Sequence, residues 1–154
     1  YKKRFTGTPM ERRDQDHNFT CETRLNQAVL QYMAHDCDTS YSVFSNFSDD
    51  GYDFYITKKM SAEQWNNGYS YDLDEHFEMI VIPAGLYLIC ETQRCQWPVL
   101  YDEDLRRKAV TEWLPSSGYE LTDAPELLIY HWFRNEEMYK QRYNEVWLPI
   151  VKRT

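Results

Sequence analysis

Two pairs of strand-like segments, each preceded by a helix-like segment, constrain the fold of this chain more than any other feature. Residues 40–47 and 52–57 are rich in Tyr, Phe, Val and Ile, and they flank the sequence Ser-Asp-Asp-Gly at 48–51. A turn of this kind between two β-prone runs predicts a hairpin, with the glycine available for a positive φ. Apolar side chains in residues 23–35 recur at helical spacing, so the first half predicts a helix followed by a hairpin.

The second half of the chain repeats this order of elements. It has a strand pattern, a helical pattern and two more strand patterns, at residues 76–92, 102–114, 126–132 and 143–151. Pro83-Ala84-Gly85 is expected to bend the first of these strands. Asp102 is expected to cap the helix, and Pro115 with Gly118 is expected to end it. The last two strands are joined by a polar link at 134–142.

These halves, separated by the polar stretch 61–75, predict an α+β fold of duplicated β-α-β-β units with pseudo-two-fold symmetry. An antiparallel sheet with its helices on one face leaves the other face free to form a ligand cleft. The first unit still needs a leading strand. Only residues 1–13 can supply it, and they are polar and basic.

Composition narrows the classes of function. The chain has 154 residues, which suits one domain, and its net charge of −8 argues against direct binding to DNA. The four cysteines form no C-x-x-C pair and accompany no histidine cluster, so we predict free thiols and no metal site. Neither a signal peptide nor a membrane-spanning run is visible, and we expect a cytoplasmic protein that does not bind membranes.

The sequence contains none of the motifs that usually mark catalysis. It lacks a Gly-rich phosphate loop, a G-x-S-x-G segment and an H-E-x-x-H segment. The histidines are scattered along the chain. We therefore expect a binding protein without a cofactor rather than an enzyme.

Three segments of the second half carry a family resemblance. They are residues 82–87 (IPAGLY), residues 112–121 (EWLPSSGYEL) followed by Ala124-Pro125-Glu126, and residues 145–150 (EVWLPI). In their order and spacing they resemble the GyrI-like effector-binding domain of AraC-type bacterial transcription regulators. Residues 52–56 are similar to an earlier strand of the same family.

The resemblance implies that residues 21–154 form an effector-binding domain for an amphipathic, drug-like or cationic small molecule. It implies contact with DNA only through an attached helix-turn-helix module. Residues 1–20 are then an N-terminal segment, either the tail of such a module or the first strand. A hydrolase of a reactive small molecule and a GyrI-like protein-binding inhibitor are alternatives on the same fold. The sequence leaves the ligand and a homodimer open.

The last predicted strand supplies the main candidate contacts. Alternation places Tyr143, Glu145 and Trp147 on one face, and the aliphatic side chains of 146, 148 and 150 on the other, under the helices. A carboxylate between two rings is suited to hold a cation. Spacing alone favours an exposed Glu145 paired with Lys140, Arg142 or Lys152, whereas the resemblance favours a pocket.

The neighbouring strand and the first hairpin complete the predicted set. Tyr130 and Trp132 share a face with Leu128, at a position where the resemblance implies a glutamate in relatives. Leu128 therefore favours a more apolar ligand and leaves Glu145 as the main acidic contact. The remaining candidates are Tyr87, Tyr55 and Phe44, of which the last two fit the core equally well. Trp113 is expected in the core.

Overall fold

The computed structural model describes residues 2–68 and 77–154. These residues form the strands β1 (Lys2–Thr6), β2 (Thr39–Ser48), β3 (Gly51–Thr57), β4 (Tyr87–Glu91), β5 (Tyr119–Leu121), β6 (Glu126–His131) and β7 (Tyr143–Lys152). The helices are α1 (Pro9–Glu22), α2 (Arg24–Ala34), α3 (Ala62–Gly68), α4 (Asp102–Lys108) and α5 (Leu114–Ser117). A π-helical turn, Ala109–Trp113, joins α4 to α5, and short 3-10 helices occur at Pro98–Tyr101 and Glu136–Gln141.

The strands form one antiparallel sheet in the order β1-β3-β2-β6-β7-β4, with β5 paired to β7. With β5 left aside, each half, read outward from the central β2–β6 pair, has its three strands in the same chain order: the second, then the last, then the first. The predicted α+β fold with an antiparallel sheet is confirmed. The pseudo-two-fold symmetry of the units stays a prediction.

Strand register assigns side chains to two faces of the sheet. Val43 lies opposite Tyr55 on β3 and Leu127 on β6, and Leu127 lies opposite Trp147 on β7. Directly opposed residues share a face, so these side chains define one face, which we call the open face. Their sequence neighbours occupy the reverse side, the helical face, where α1 and α4 pack.

Two apolar clusters form the core of the helical face. One joins Phe5, Phe19 and Phe54, with the rings of Phe5 and Phe54 stacked at 4.9 Å. The other joins Ala109 to Val146 and Leu148 of β7. The predicted packing of the aliphatic face of β7 under a helix is thereby confirmed for these two residues.

The basic start of the chain forms β1 at one edge of the sheet, and α1 follows it. Phe5 anchors β1, because its side chain is completely buried. A capping box starts α1: Thr8 Oγ1 accepts from the Glu11 amide, and the Glu11 carboxylate accepts from the Thr8 amide. None of the described helices is long and apolar enough to span a bilayer.

The strand predicted for 76–92 is wrong over most of its length. Position 76 lies outside the described residues, and residues 77–86 have no regular structure, so that only β4 is a strand. In this segment Ile80 and Ile82 pack against the open face, while Met79 and Val81 are exposed. The alternation of apolar residues that resembles a strand therefore reflects packing onto a sheet rather than pairing within it.

The helix predicted at 102–114 is present and ends before Gly118 as predicted, but the predicted roles of Asp102 as its cap and of Pro115 as its terminator are wrong. Asp102 has helical backbone angles, and its carboxylate accepts hydrogen bonds from Asn144 Nδ2 at 2.9 and 3.0 Å instead of capping the helix. Pro115 lies within α5, which ends at Gly118, with φ of 79°. Trp113 is 42% exposed and stacks on Tyr119, so its predicted place in the core is wrong.

Candidate ligand-binding site

A cavity of about 500 Å³ lies on the open face, and we call it the open-face pocket. Side chains of the four central strands form its floor, α2 and α3 contribute to its walls, and residues 77–82 cover it. Its volume is in the range typical of small-molecule sites. The lining is largely apolar and aromatic, and includes Leu30, Tyr41, Val43, Tyr55, Trp65, Phe77, Ile80, Ile82, Leu127, Ile129 and Trp147.

Two aromatic side chains of the open face, Trp147 in the pocket lining and Tyr87 beside it, each carry a buried polar atom. Within the described part of the chain, Trp147 Nε1 and the Tyr87 hydroxyl have no hydrogen-bond partner. Their rings lie 5.7 Å apart, and Tyr87 packs against the cluster of Val43, Leu127 and Ile129 beneath the pocket. Burial raises the pKa of Tyr87, which favours the neutral phenol. A buried donor without an acceptor costs about 1–3 kcal/mol, so the pocket contains an unmet hydrogen-bond requirement.

Glu145 lies on the open face, opposite Ile129 of β6, a residue that lines the pocket. Its Oε2 lies 2.8 Å from Nε2 of His131, and the two side chains are only 18% and 20% exposed. The His131 ring stacks on Tyr143 at 4.1 Å. Glu145 is thus neither exposed nor paired with Lys140, Arg142 or Lys152 as in the alternative interpretation.

The charge of Glu145 affects the pKa of Tyr41, a residue that lines the pocket. Burial is the main cause that raises the pKa of Tyr41, and the charges of Asp36 and Glu145 raise it further. Lys58 also lines the pocket, but its ammonium donates to the carbonyl oxygens of Asp36 and Thr39. Burial lowers the pKa of Lys58.

The structure does not bring all eight predicted residues together. Five of them lie on the open face: Tyr55, Tyr87, Tyr143, Glu145 and Trp147. Of these, Tyr55 and Trp147 line the open-face pocket. Phe44 and Tyr130 occupy the helical face, where Phe44 packs on Phe54 at 5.2 Å.

Trp132, the last member of the predicted set, follows the end of β6. Its ring lies 5.5 Å from that of Trp97 and 3.7 Å from the Arg142 guanidinium. Arg142 is 4% exposed and also contacts the ring of Tyr139 at 4.1 Å. Trp132 therefore belongs to a cation–π cluster around the buried Arg142, beside the polar link.

Sequence reasoning missed His131, Tyr41 and the cover formed by residues 77–82. The signal for His131 was its alternation with Ile129, which places both on the face of Glu145 once the β6–β7 register is known. The signal for the cover was the alternation of Ile80 and Ile82 with exposed residues. Among residues 2–68 and 77–154, no three His, Cys, Asp or Glu side chains are grouped so as to hold a metal ion.

Comparison with known proteins adds a family and a fold. A family model named Cass2, integron-associated effector binding protein, matches residues 4–150. The structure of SAV2435 bound to tetraphenylphosphonium has a TM-score of 0.64 and 15% identity, covering 97% of this chain and 85% of that one. A Staphylococcus aureus MU50 structure described as a bacterial transcription regulation protein has a TM-score of 0.61 and 13% identity, covering 97% and 88%. None of the curated proteins matches.

Proposed function

The chain belongs to the Cass2 family of integron-associated effector-binding proteins, and from this premise we propose that it binds an amphipathic small molecule in the open-face pocket. The effector-binding domain expected from the GyrI-like resemblance is confirmed by this family and by the fold. The observation that carries the proposal is a cavity of about 500 Å³ lined by aromatic and aliphatic side chains on one face of the sheet. Such pockets typically enclose a ligand among apolar groups with a few oriented polar contacts.

The aromatic lining suits a planar or multi-ring ligand body. Tyr55 and Trp147 come from β3 and β7 and border the same cavity, with Val43 and Leu127 between them in the sheet. The unpartnered Trp147 Nε1 offers a donor to a ligand acceptor. A ligand that accepts this hydrogen bond removes the cost of the buried orphan donor, which supports a ligand with a polar atom as well as an apolar body.

Glu145 favours a cationic member of this ligand class. Its carboxylate is partly desolvated, and tyrosine and tryptophan faces nearby attract cations through their quadrupoles. His131 already contacts the carboxylate of Glu145. A cationic ligand would therefore approach a carboxylate that already has one neighbour at hydrogen-bond distance. The similar fold of SAV2435, whose structure holds tetraphenylphosphonium, supports this choice.

The cellular role we propose is sensing by a cytoplasmic regulator of the AraC type. Ligand binding would shift the arrangement of an attached helix-turn-helix module, which would make the contact with DNA. The net charge of −8 is consistent with a domain that does not itself grip the phosphate backbone. The S. aureus structure described as a transcription regulation protein supports the regulatory setting.

Binding of tetraphenylphosphonium and of the neutral triphenylphosphine oxide, followed by calorimetry, tests the proposal. We expect both to bind and Trp147→Ala to weaken each at least about tenfold, since it removes a large aromatic contact. Trp113→Ala, a change at an exposed ring outside the pocket, is the control and should leave affinity unchanged. Failure of both compounds to bind, or equal loss in the two variants, would contradict the proposal. Turnover of a reactive analogue, abolished by Glu145→Gln, would favour the hydrolase alternative.

A further inference from the structure

Among the described residues, the sheet ends in two edge strands, β1 on one side and β4 on the other. An edge strand presents a row of unpaired backbone N–H and C=O groups, which can pair with a strand of another chain. Proteins that stay monomeric usually blunt such an edge with lysine, proline, a bulge or a covering segment. The two edges of this sheet differ in how they are protected.

The β1 edge is protected by side chains of the same protein. The Thr6 amide donates to Gln15 Oε1 at 3.0 Å, and Gln15 Nε2 donates to the Thr6 carbonyl oxygen at 2.7 Å. Both backbone groups of Thr6 on this edge are therefore already used. Lys2 and Lys3 add positive charge to the rest of the strand. A second strand that approached β1 would have to displace Gln15 and come close to the two lysines.

Two hydrogen bonds show in which direction the backbone of β4 points. The Thr92 amide, just after β4, donates to the Asn144 carbonyl oxygen at 2.9 Å. The Leu86 carbonyl oxygen, just before β4, accepts from the Ile150 amide at 3.0 Å. Backbone groups alternate in direction along an antiparallel strand. Because residues 86 and 92 both face β7, the even-numbered residues between them also face β7, and the odd-numbered ones point away from it.

The outward-pointing residues of β4 are Tyr87, Ile89 and Glu91. Among residues 2–68 and 77–154, no hydrogen bond to their amide or carbonyl groups is found beyond the β7 side. The strand contains no lysine or proline, and no shift interrupts its register with β7. The Ile89 side chain is 45% exposed. The chain therefore leaves an apolar strand unblocked at this edge.

We infer that the β4 edge joins this chain to a second copy of itself, through antiparallel pairing of β4 with β4 about a two-fold axis at Ile89. This register places Ile89 opposite the partner's Ile89, and Tyr87 opposite the partner's Glu91. Each outward-pointing residue then belongs to a hydrogen-bonded pair, in which the two residues exchange two N–H···O bonds. The pairing satisfies all the outward backbone groups of the strand.

The charges and side chains along β4 fit this two-fold register. Glu91 lies opposite the partner's Tyr87 rather than the partner's Glu91, so no like charges are directly opposed. Arg94 lies 3.4 Å from the Glu91 carboxylate in the same chain and balances its charge. At the centre, the Ile89 side chains of the two copies lie on the same face and shield each other from water. The edge is therefore complementary to itself.

The β4 edge fits a closed dimer better than an open assembly. Pairing of β4 with the β1 edge of another copy would require removal of Gln15 and would continue into a filament. Pairing of β4 with β4 uses the same surface on both copies and closes after two chains. Because two five-residue strands bury less surface than a stable dimer interface, we expect a dissociation constant of about 100 μM.

Sedimentation equilibrium at chain concentrations from about 10 μM to about 1 mM, on either side of that constant, tests the inference. We expect a monomer–dimer equilibrium that Ile89→Lys weakens at least about tenfold, because it places two like charges at the two-fold axis. Val151→Lys changes a β7 side chain that is also 45% exposed, and this control should associate like wild type. A wild-type chain that stays monomeric throughout would overturn the inference and leave the edge to a strand of a different protein. Equal losses in the two variants would overturn it as well.

Ile89→Pro is the second variant, and it tests the backbone pairing itself. It removes an outward amide and none of the groups that bond to β7, so a thermal unfolding curve should show a folded protein, while association should be lost. Hydrogen exchange shows where the copies meet. In wild type the amides of Tyr87, Ile89 and Glu91 should exchange about fourfold more slowly at the highest concentration than at the lowest. Slowing confined to other amides, or dimerisation of a folded Ile89→Pro protein, would overturn the inference.

Discussion

The Nε2 atom of His131 lies 2.8 Å from Oε2 of Glu145, so the charge that this pair offers to a ligand depends on both residues. A neutral imidazole leaves the pair with the full negative charge of the carboxylate. A positively charged partner in the same place cancels it. The charge of this pair on the open face is therefore a property of two residues that come from different strands, β6 and β7.

Glu145→Gln should weaken tetraphenylphosphonium binding about tenfold and leave triphenylphosphine oxide unchanged, because only the cation gains from the carboxylate. Calorimetric titration of both compounds against wild type and variant measures the difference. Glu120→Gln removes a carboxylate from the exposed strand β5 and should change neither affinity. Similar losses for the cationic and the neutral compound would show that Glu145 acts through packing rather than charge.

His131→Arg should reduce the preference for the cation over the neutral compound at least about tenfold, because a permanent positive charge then neutralises Glu145. The Tyr143 ring can stack on a guanidinium as it now stacks on the imidazole. The ratio of the two dissociation constants is the quantity to measure. If that ratio stays at the wild-type value, the pair does not set ligand charge preference.

Asp102→Asn should stabilise the protein at pH 7.5 more than at pH 4.5. Burial raises the pKa of folded Asp102 from 3.8 to about 6, so its stabilising contribution is full below 3.8 and lost as pH rises through 6. The shift corresponds to at most about 3 kcal/mol, and asparagine does not titrate. Urea unfolding at several pH values should show the gap between variant and wild type widening as pH rises. A gap that narrows for Asp102→Asn as pH rises would refute the prediction.

Arg106→Met should lower the free energy of unfolding by about 2–4 kcal/mol, because it leaves the Glu126 carboxylate buried without its cation. Glu126 is 12% exposed in this pair. Arg107→Met breaks an exposed pair on the same helix and should cost less than about 1 kcal/mol. Denaturant unfolding of both variants gives the comparison, and equal costs would mean that the Arg106–Glu126 pair adds nothing through burial.

Gly51→Ala should cost about 2 kcal/mol or more, because the added Cβ would lie 1.8 Å from the carbonyl oxygen of Phe5. The contact occurs where β3 starts its pairing with β1, so relief requires the edge strand to move. Gly85→Ala is the matched change, since among the described residues its Cβ would meet only Tyr87 Cε2, at 3.9 Å. Thermal unfolding should separate the two, and a wild-type melting temperature for Gly51→Ala would contradict the backbone contact.

Local patterns in the sequence predicted those elements whose partners lie close along the chain. The helix at 23–35 and the hairpin around Gly51 are present as α2, β2 and β3. Pro9–Glu22 was not predicted, because its only apolar signal is weak and Phe19 is its buried residue. The Thr8–Glu11 capping box was the available clue, since it marks a helix start independently of hydrophobic spacing.

The candidate site was predicted only in part. Alternation shows which side chains of one strand share a face, but not which face of the neighbouring strand lies on the same side of the sheet. Tyr143, Glu145 and Trp147 do share the open face. Tyr130 does not join them, since it lies opposite Asn144 on the helical face. A shift of one residue in the β6–β7 register would reverse this outcome, and the polar link that sets the register carries no pattern from which it can be read.

The β2–β6 pair separates two cavities, the open-face pocket and a cavity between α1 and α4 on the helical face. Leu127 lines both cavities. Val43 lines only the first of them and its neighbour Phe44 only the second. A ligand that changes the twist of these two strands from one side would alter the shape of the cavity on the other side. Because coupling between two binding sites is reciprocal, each ligand would then change the affinity for the other by the same factor.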